Sequence, residues 1–226
     1  MSTIAFIQAR MGSTRLPGKV LMDIAGKTML QRVVDRARMA KTLDNVVVLV
    51  KQEEDQRLWE YCEQQNIPRF RANAPHALGE YCAAAEAFAA KVIVRLTADC
   101  PLILPEIIDR CVQLQELSDV AYVSTMQNYP EGLDIEVFPI MSLLWAAEHV
   151  RRQQEHVTVE LRMFHQRWPI LDLPFYPLGW MVRRSEYHWS VDEAADLAFP
   201  RLAYTRFGET VPTVEQLIDL WKEFCG

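Results

Sequence analysis

Between its eighth and nineteenth residues the chain reads Gln8-Ala9-Arg10-Met11-Gly12-Ser13-Thr14-Arg15-Leu16-Pro17-Gly18-Lys19. Three cations and two glycines fall in this one stretch, in a protein whose net charge is -6. Glycines let backbone N–H groups come close to an anion. Arg10 and Arg15 carry planar forks that match phosphate oxygens, and Lys19 carries a point charge. Ala9, Gly12 and Ser13 could add backbone or hydroxyl donors. The competing reading is a basic surface loop whose cations face water. This is not a Walker A loop, because Val20 follows Lys19 where Ser or Thr would be needed, and no G-x-G-x-x-G is present.

Acidic residues that could answer such a loop are few. Asp99 lies just past the run Val92–Leu96, in Thr97-Ala98-Asp99-Cys100-Pro101. There it could hold Mg²⁺ on a bound phosphate, since that ion needs one or two protein carboxylates plus phosphate oxygens and water. It could equally cap the helical segment beginning near Pro105. Asp192, in Trp189-Ser190-Val191-Asp192, has the same two readings: helix cap or metal ligand. Asp134 and Glu136 lie two apart, which on a strand puts both on one face. Paired carboxylates can do acid/base work, but an alternating strand normally turns its polar face to solvent or to a subunit. His156 could contact an acidic group of a second substrate or sit satisfied on a helix. His76, His149, His165 and His188 show no ligand spacing.

These groups need a scaffold that brings distant segments together. Ile4–Gln8, Val46–Val50 and Val92–Val94 are short apolar, β-branched runs of buried-strand type. Helical spacing marks Thr28–Met39, Glu54–Gln65 and Gly79–Ala90 between or beside them. This alternation predicts a mostly parallel sheet with helices on both faces, which binds ligands beyond the C-terminal ends of its strands. Further strands are expected at Ala121–Ser124 and Leu133–Phe138, as a small β-rich subregion. Helices are expected near Met141–Arg151, Glu155–His165 and Leu217–Phe224. With no linker or repeat, all 226 residues read as one domain.

Composition narrows the partners. Half the residues are apolar and 24% are charged, as in ordinary globular proteins. The acidic balance argues against nucleic acid or an anionic membrane as partner. Five scattered cysteines form no C-x-x-C pair and predict neither zinc nor a disulfide framework. No signal peptide or spanning segment is evident, so a cytoplasmic location is expected.

The motif Ile7–Lys19, followed by Gly26-Lys27-Thr28-Met29-Leu30, resembles the sugar-activating cytidylyltransferases that act on acylneuraminate and 3-deoxy-manno-octulosonate. It is most similar to the spore-coat polysaccharide (SpsF-type) branch. That branch also has counterparts of Thr97–Ile103, Pro130–Phe138, Glu155–Thr158 and Trp189–Asp192. The resemblance implies a nucleotide-diphospho-sugar transferase fold (GT-A-like) and a reaction of CTP with a sugar or sugar acid to give a CMP-sugar and pyrophosphate. It implies Arg10, Arg15 and Lys19 on the triphosphate, Mg²⁺ on Asp99 and Asp192, an acceptor near Asp134, Glu136 and His156, and a homodimer. The chain departs from the pattern at Glu80 and His188, where relatives often carry Arg. The segment Pro174–Arg184 matches no motif. Still open are another nucleotide on the same fold, a glycosyltransferase using a finished nucleotide-sugar, and a non-catalytic nucleotide binder.

Overall fold

The computed structural model describes residues 2–51, 55–71, 74, 76–149, 157–158, 169–174 and 184–226. The first strand, β1 (Thr3–Ala9), is buried almost throughout, as its unbroken apolar run requires. A 3₁₀ turn (Lys19–Leu21) and a two-stranded antiparallel hairpin, β2 (Asp23–Ile24) with β3 (Lys27–Thr28), lead into helix α1 (Met29–Arg38). The Thr28 hydroxyl accepts from the Gln31 N–H at 3.1 Å and so fixes the start of α1. Met29, Leu30, Val33, Val34 and Ala37 recur every three or four residues, and all are fully buried.

Strand β4 (Asn45–Val50), helix α2 (Gln56–Gln64), strand β5 (Arg69–Phe70), helix α3 (Ala77–Ala87) and strand β6 (Val92–Thr97) follow. After helix α4 (Pro105–Ser118) come β7 (Tyr122–Ser124), β8 (Glu136–Pro139), helix α5 (Ile140–His149) and β9 (Ile170–Asp172). Helices Ala198–Phe207 and Val214–Cys225 end the chain.

One seven-stranded sheet has the order β5-β4-β1-β6-β8-β7-β9. All neighbours are parallel except those of β8, which runs against both β6 and β7. The second-half strands, expected as a small β-rich subregion of the one domain, complete the main sheet. The small antiparallel sheet is the early hairpin instead. Alternate side chains of the strands divide between two cores. One holds Ala5, Ile7, Val48 and Val94 with α1, α2, α4 and the two C-terminal helices. The other holds Ile4, Phe6, Val47, Leu49 and Ile93 with α3 and α5.

The stretch Leu133–Phe138 departs from expectation. Only Glu136–Pro139 joins the ladder, because Thr125 holds the preceding backbone. Its hydroxyl donates to the Leu133 carbonyl at 2.7 Å and accepts from the Ile135 N–H at 2.9 Å. Since helices cover both sheet faces, β8 has no solvent face to turn its carboxylates toward. Glu136 is only 2% exposed and is bound by Arg95, Tyr122 and Thr158. Arg95 and these hydroxyls outweigh the effect of burial and hold its carboxyl below the ordinary range. Asp134 is engaged elsewhere, in a two-pronged pair with Arg184 at 2.5 and 3.0 Å. Asp134 and Glu136, expected to share one open strand face, therefore point to different partners, Arg184 and Arg95. His156, the expected Glu155–His165 helix apart from residues 157 and 158, and most of Pro174–Arg184 lie outside the described residues.

Candidate functional site

The loop after β1 folds back on itself. The Met11 carbonyl accepts from the N–H groups of Ser13 (3.0 Å) and Gly18 (2.8 Å), and the Met11 N–H donates to Asp55 at 2.8 Å. Gly18 takes a left-handed conformation (φ 72°) that any side chain would strain, and it delivers Lys19 into the following turn. Val20 anchors that turn in the core, so Lys19 points down with only 8% exposure.

The Lys19 ammonium meets three acceptors. They are Asp99 Oδ2 at 2.9 Å, Asp192 Oδ1 at 3.1 Å and the Val191 carbonyl at 2.7 Å. A lysine has three N–H donors, and all three are thereby used. The Val191 N–H donates to the Asp99 carbonyl at 2.9 Å, which stitches two segments 92 positions apart in sequence. Burial by itself would raise the Asp99 pKa. The Lys19 charge and hydrogen bonds from Thr97, Lys19 and its own backbone prevail, and the carboxyl lies below its ordinary value. Arg15, 59% exposed, reaches Asp192 from above at 2.9 Å.

Neither aspartate is a helix cap. Leu104 occupies the N-cap position of α4, with Pro105 next. Asp192 instead has its own N–H held by Asp196 at 2.8 Å, and Glu193 caps the short turn that follows. His188 stands between Glu131 (3.3 Å) and Asp196 (3.4 Å).

These groups surround a cleft of about 500 Å³ at the C-terminal ends of β1, β4 and β6. Ala9, Arg10, Ser13, Arg15 and Lys19 of the loop line it, together with Asp99 and Asp192. Gly12 is exposed and is not among the lining residues. Asp134 and Glu136 do not line it either. Leu49, Lys51 and Arg95, which the sequence did not single out, also line the cleft, as do Gln8 and Thr97 from the two segments that it did. Arg95 had a usable signal: a charge inside an otherwise apolar buried strand requires a partner and a reason. Glu80, at the first turn of α3, is buried on the cleft wall. Among the described residues no three His, Cys, Asp or Glu side chains gather as a closed metal site.

With this geometry in hand, comparison with known proteins gives a consistent picture. The family model for cytidylyltransferases matches residues 4–166. The spore coat polysaccharide biosynthesis protein SpsF of Bacillus subtilis is 32% identical over 222 residues, spanning 92% of this chain and 89% of that protein. An uncharacterized Methanocaldococcus jannaschii protein is 35% identical over 161 residues, 70% of this chain and 66% of the other. The 3-deoxy-manno-octulosonate cytidylyltransferase of Verminephrobacter eiseniae is 38% identical over 113 residues, 48% of this chain, which spans only 40% of that enzyme. A solved cytidylyltransferase from Leptospira borgpetersenii superposes with a TM-score of 0.89 at 27% identity, covering 99% of this chain and 94% of that one.

Proposed function

Because the chain belongs to the cytidylyltransferase family, we propose that its cleft binds CTP and transfers the cytidylyl group to a sugar or sugar acid, releasing pyrophosphate. The observation that carries this reading is the convergence of Lys19, Asp99 and Asp192 beneath a loop that also offers Arg10, Ser13 and Arg15. Cations on the rim can take the triphosphate, and the acids below can take the counterion that a nucleotide brings. Arg10 is exposed, and Arg15, though paired with Asp192 at 2.9 Å, is 59% exposed, so both can turn toward phosphate oxygens. Lys19 is held rigidly, so its charge is preorganised.

The donor set fits Mg²⁺. Asp99 and Asp192 stand side by side, each giving one oxygen to the Lys19 ammonium, at 2.9 and 3.1 Å, which leaves the second oxygen of each carboxylate for an ion. Two hard oxygen donors from the protein, with phosphates and water for the rest, is the way this ion is commonly bound. Such an ion, when bound, neutralises charge on the phosphates and orients them. The chain's own residues position the triphosphate and stabilise charge on the leaving pyrophosphate, while an acceptor oxygen attacks the α-phosphorus in line. No covalent intermediate with the protein is required.

An acceptor site and a homodimer also belong to this reading, on the strength of the family resemblance. A dimer contact cannot use β8, which is an interior strand covered on both faces. Static light scattering decides the assembly: a dimer mass at micromolar protein supports it, and a monomer mass excludes it. For the nucleotide, thermal melting with CTP, GTP, UTP or ATP and Mg²⁺ is the direct screen. Saturation at ~100 times the dissociation constant adds about 2.7 kcal/mol to stability. Stabilisation by CTP above the others supports cytidylyl transfer. Stabilisation by GTP or UTP alone replaces it with another nucleotidyl transfer.

A further inference from the structure

On the sheet face beneath α3, β1 presents Ile4, Phe6 and Gln8. Ile4 and Phe6 are buried in the apolar core, so Gln8 breaks the pattern on a central strand. Directly beside Gln8 in register lie Leu49 of β4 and Thr97 of β6. Ala77 and Glu80 of α3 line the same part of the cleft. A polar side chain in such a position is costly unless it is bonded or needed.

Arg95 gives Gln8 a direction. One prong of its guanidinium is bound by Glu136, which Tyr122 and Thr158 in turn hold. The other, Nη2, donates to Gln8 Oε1 at 3.4 Å. Arginine has only donors, so the amide atom facing it is the oxygen. The Gln8 Nε2 group must therefore point elsewhere. It makes no hydrogen bond among the described residues, and Gln8 lines the cleft.

The rest of the cleft says what this donor meets. Phosphate-binding cations lie beyond the end of β1, and the acid pair lies on the β6 side. Leu49 of β4 and Ala77 of α3 line the cleft beside Gln8, with Lys51 and Glu80 next to them, so that apolar carbon framed by polar groups is what a flat nitrogenous ring would meet. The geometry points to Gln8 as the residue that reads the nucleobase, its amide donor selecting cytosine over uracil, with Arg95 as its positioning residue. Cytosine presents acceptors at both O2 and N3. Uracil carries a hydrogen at N3, so a donor placed there meets a donor.

This inference rests on the nucleotidyl-transfer reading, and the test separates the two. Isothermal titration of the full chain with CTP, UTP and pyrophosphate, each with Mg²⁺, gives the affinities, and circular dichroism melting checks each variant's fold. In the wild type CTP is expected to bind at least about tenfold more tightly than UTP, the value of one unmatched polar group. Gln8→Leu should bring that ratio to near one and leave pyrophosphate affinity unchanged. Gln8→Glu, of nearly the same shape, keeps the Arg95 contact but turns an acceptor toward the base, so the ratio should invert in favour of UTP. Arg95→Lys keeps a charge for Glu136 but has no second prong for Gln8, and should lower the ratio without affecting pyrophosphate. If the folded variants all keep the wild-type ratio, Gln8 is only a structural polar residue and the inference is overturned. If the wild type binds pyrophosphate but neither nucleotide, the cytidylyl reading itself falls, and this inference with it.

Discussion

Replacing Lys19 by methionine keeps the length of the side chain and deletes the ammonium that three acceptors share. Asp99 would then face Asp192 with only Arg15, on Asp192 at 2.9 Å, to balance the pair, and the Val191 carbonyl would lose its partner. Removing one member of a fully buried ion pair costs about 3–5 kcal/mol. Here the lysine side chain is 9% exposed but the carboxylates are 31% and 23% exposed, so water can rehydrate them. A loss of about 2 kcal/mol at pH 7 is expected, near the cost of one buried polar group left unsatisfied plus residual repulsion.

The sign of its pH dependence is the sharper test. In the wild type the Asp99 pKa is lowered on folding, so Asp99 adds stability above its unfolded pKa, a contribution lost as pH falls through the folded value. In Lys19→Met the main lowering influence is gone and burial pushes the carboxyl up. The variant's deficit should therefore be largest at pH 7 and shrink as pH falls toward 4, where Asp99 takes up a proton. Urea unfolding of both proteins at pH 7, 5.5 and 4.5 measures this. A deficit that stays constant or grows on acidification refutes the reasoning, because it would mean that the Lys19–Asp99 contact contributes nothing.

Further outcomes follow from the same geometry. Asp99→Asn, which keeps the shape but removes the charge, should lower turnover by at least ~100-fold, about 3 kcal/mol of lost electrostatic stabilisation, as read by pyrophosphate release. Full activity would send the search for the metal ligand to Asp192. His188 is desolvated, but Glu131 and Asp196 prevail and raise its pKa above 6.5. Its stabilising contribution is complete below 6.5 and disappears as pH rises through the folded value. Melting temperatures between pH 6 and 8.5 should fall in the wild type by more than in His188→Gln, and parallel curves would exclude the role. Gly132→Ala places a Cβ 2.6 Å from the Ser190 nitrogen at φ 101°, where L residues are strained. A loss of at least ~2 kcal/mol is expected in denaturant titration, and an unchanged midpoint would contradict it.

Much of the fold is legible in the sequence because the deciding signals are local. The runs in β1, β4 and β6 are continuous and β-branched, and Thr28 with the spacing after it specifies α1. The loop Gln8–Lys19 and the two aspartates are legible as chemistry, since charge density in an acidic protein needs no tertiary information. What the sequence hides is pairing. The alternation Leu133 to Phe138 looks like a half-exposed strand, yet Arg95, 41 positions earlier, makes Glu136 an interior residue. Nothing local shows that Thr125 takes over the backbone bonds of Leu133 and Ile135, or that Asp196 holds Asp192. Gln8 was read only as part of a motif. Its place in a row with Leu49 and Thr97 appears once three strands are in register.

The most direct measurement is the fate of CTP labelled at the α-phosphorus, incubated with the protein, Mg²⁺ and a panel of sugar acids and sugars. Cytidylyl transfer puts the label in a CMP-sugar with an equal amount of unlabelled pyrophosphate, and both products should be lost in Lys19→Met and Asp99→Asn. Label recovered as CDP, with inorganic phosphate released in place of pyrophosphate, would contradict it by placing the cleavage at the γ-phosphorus.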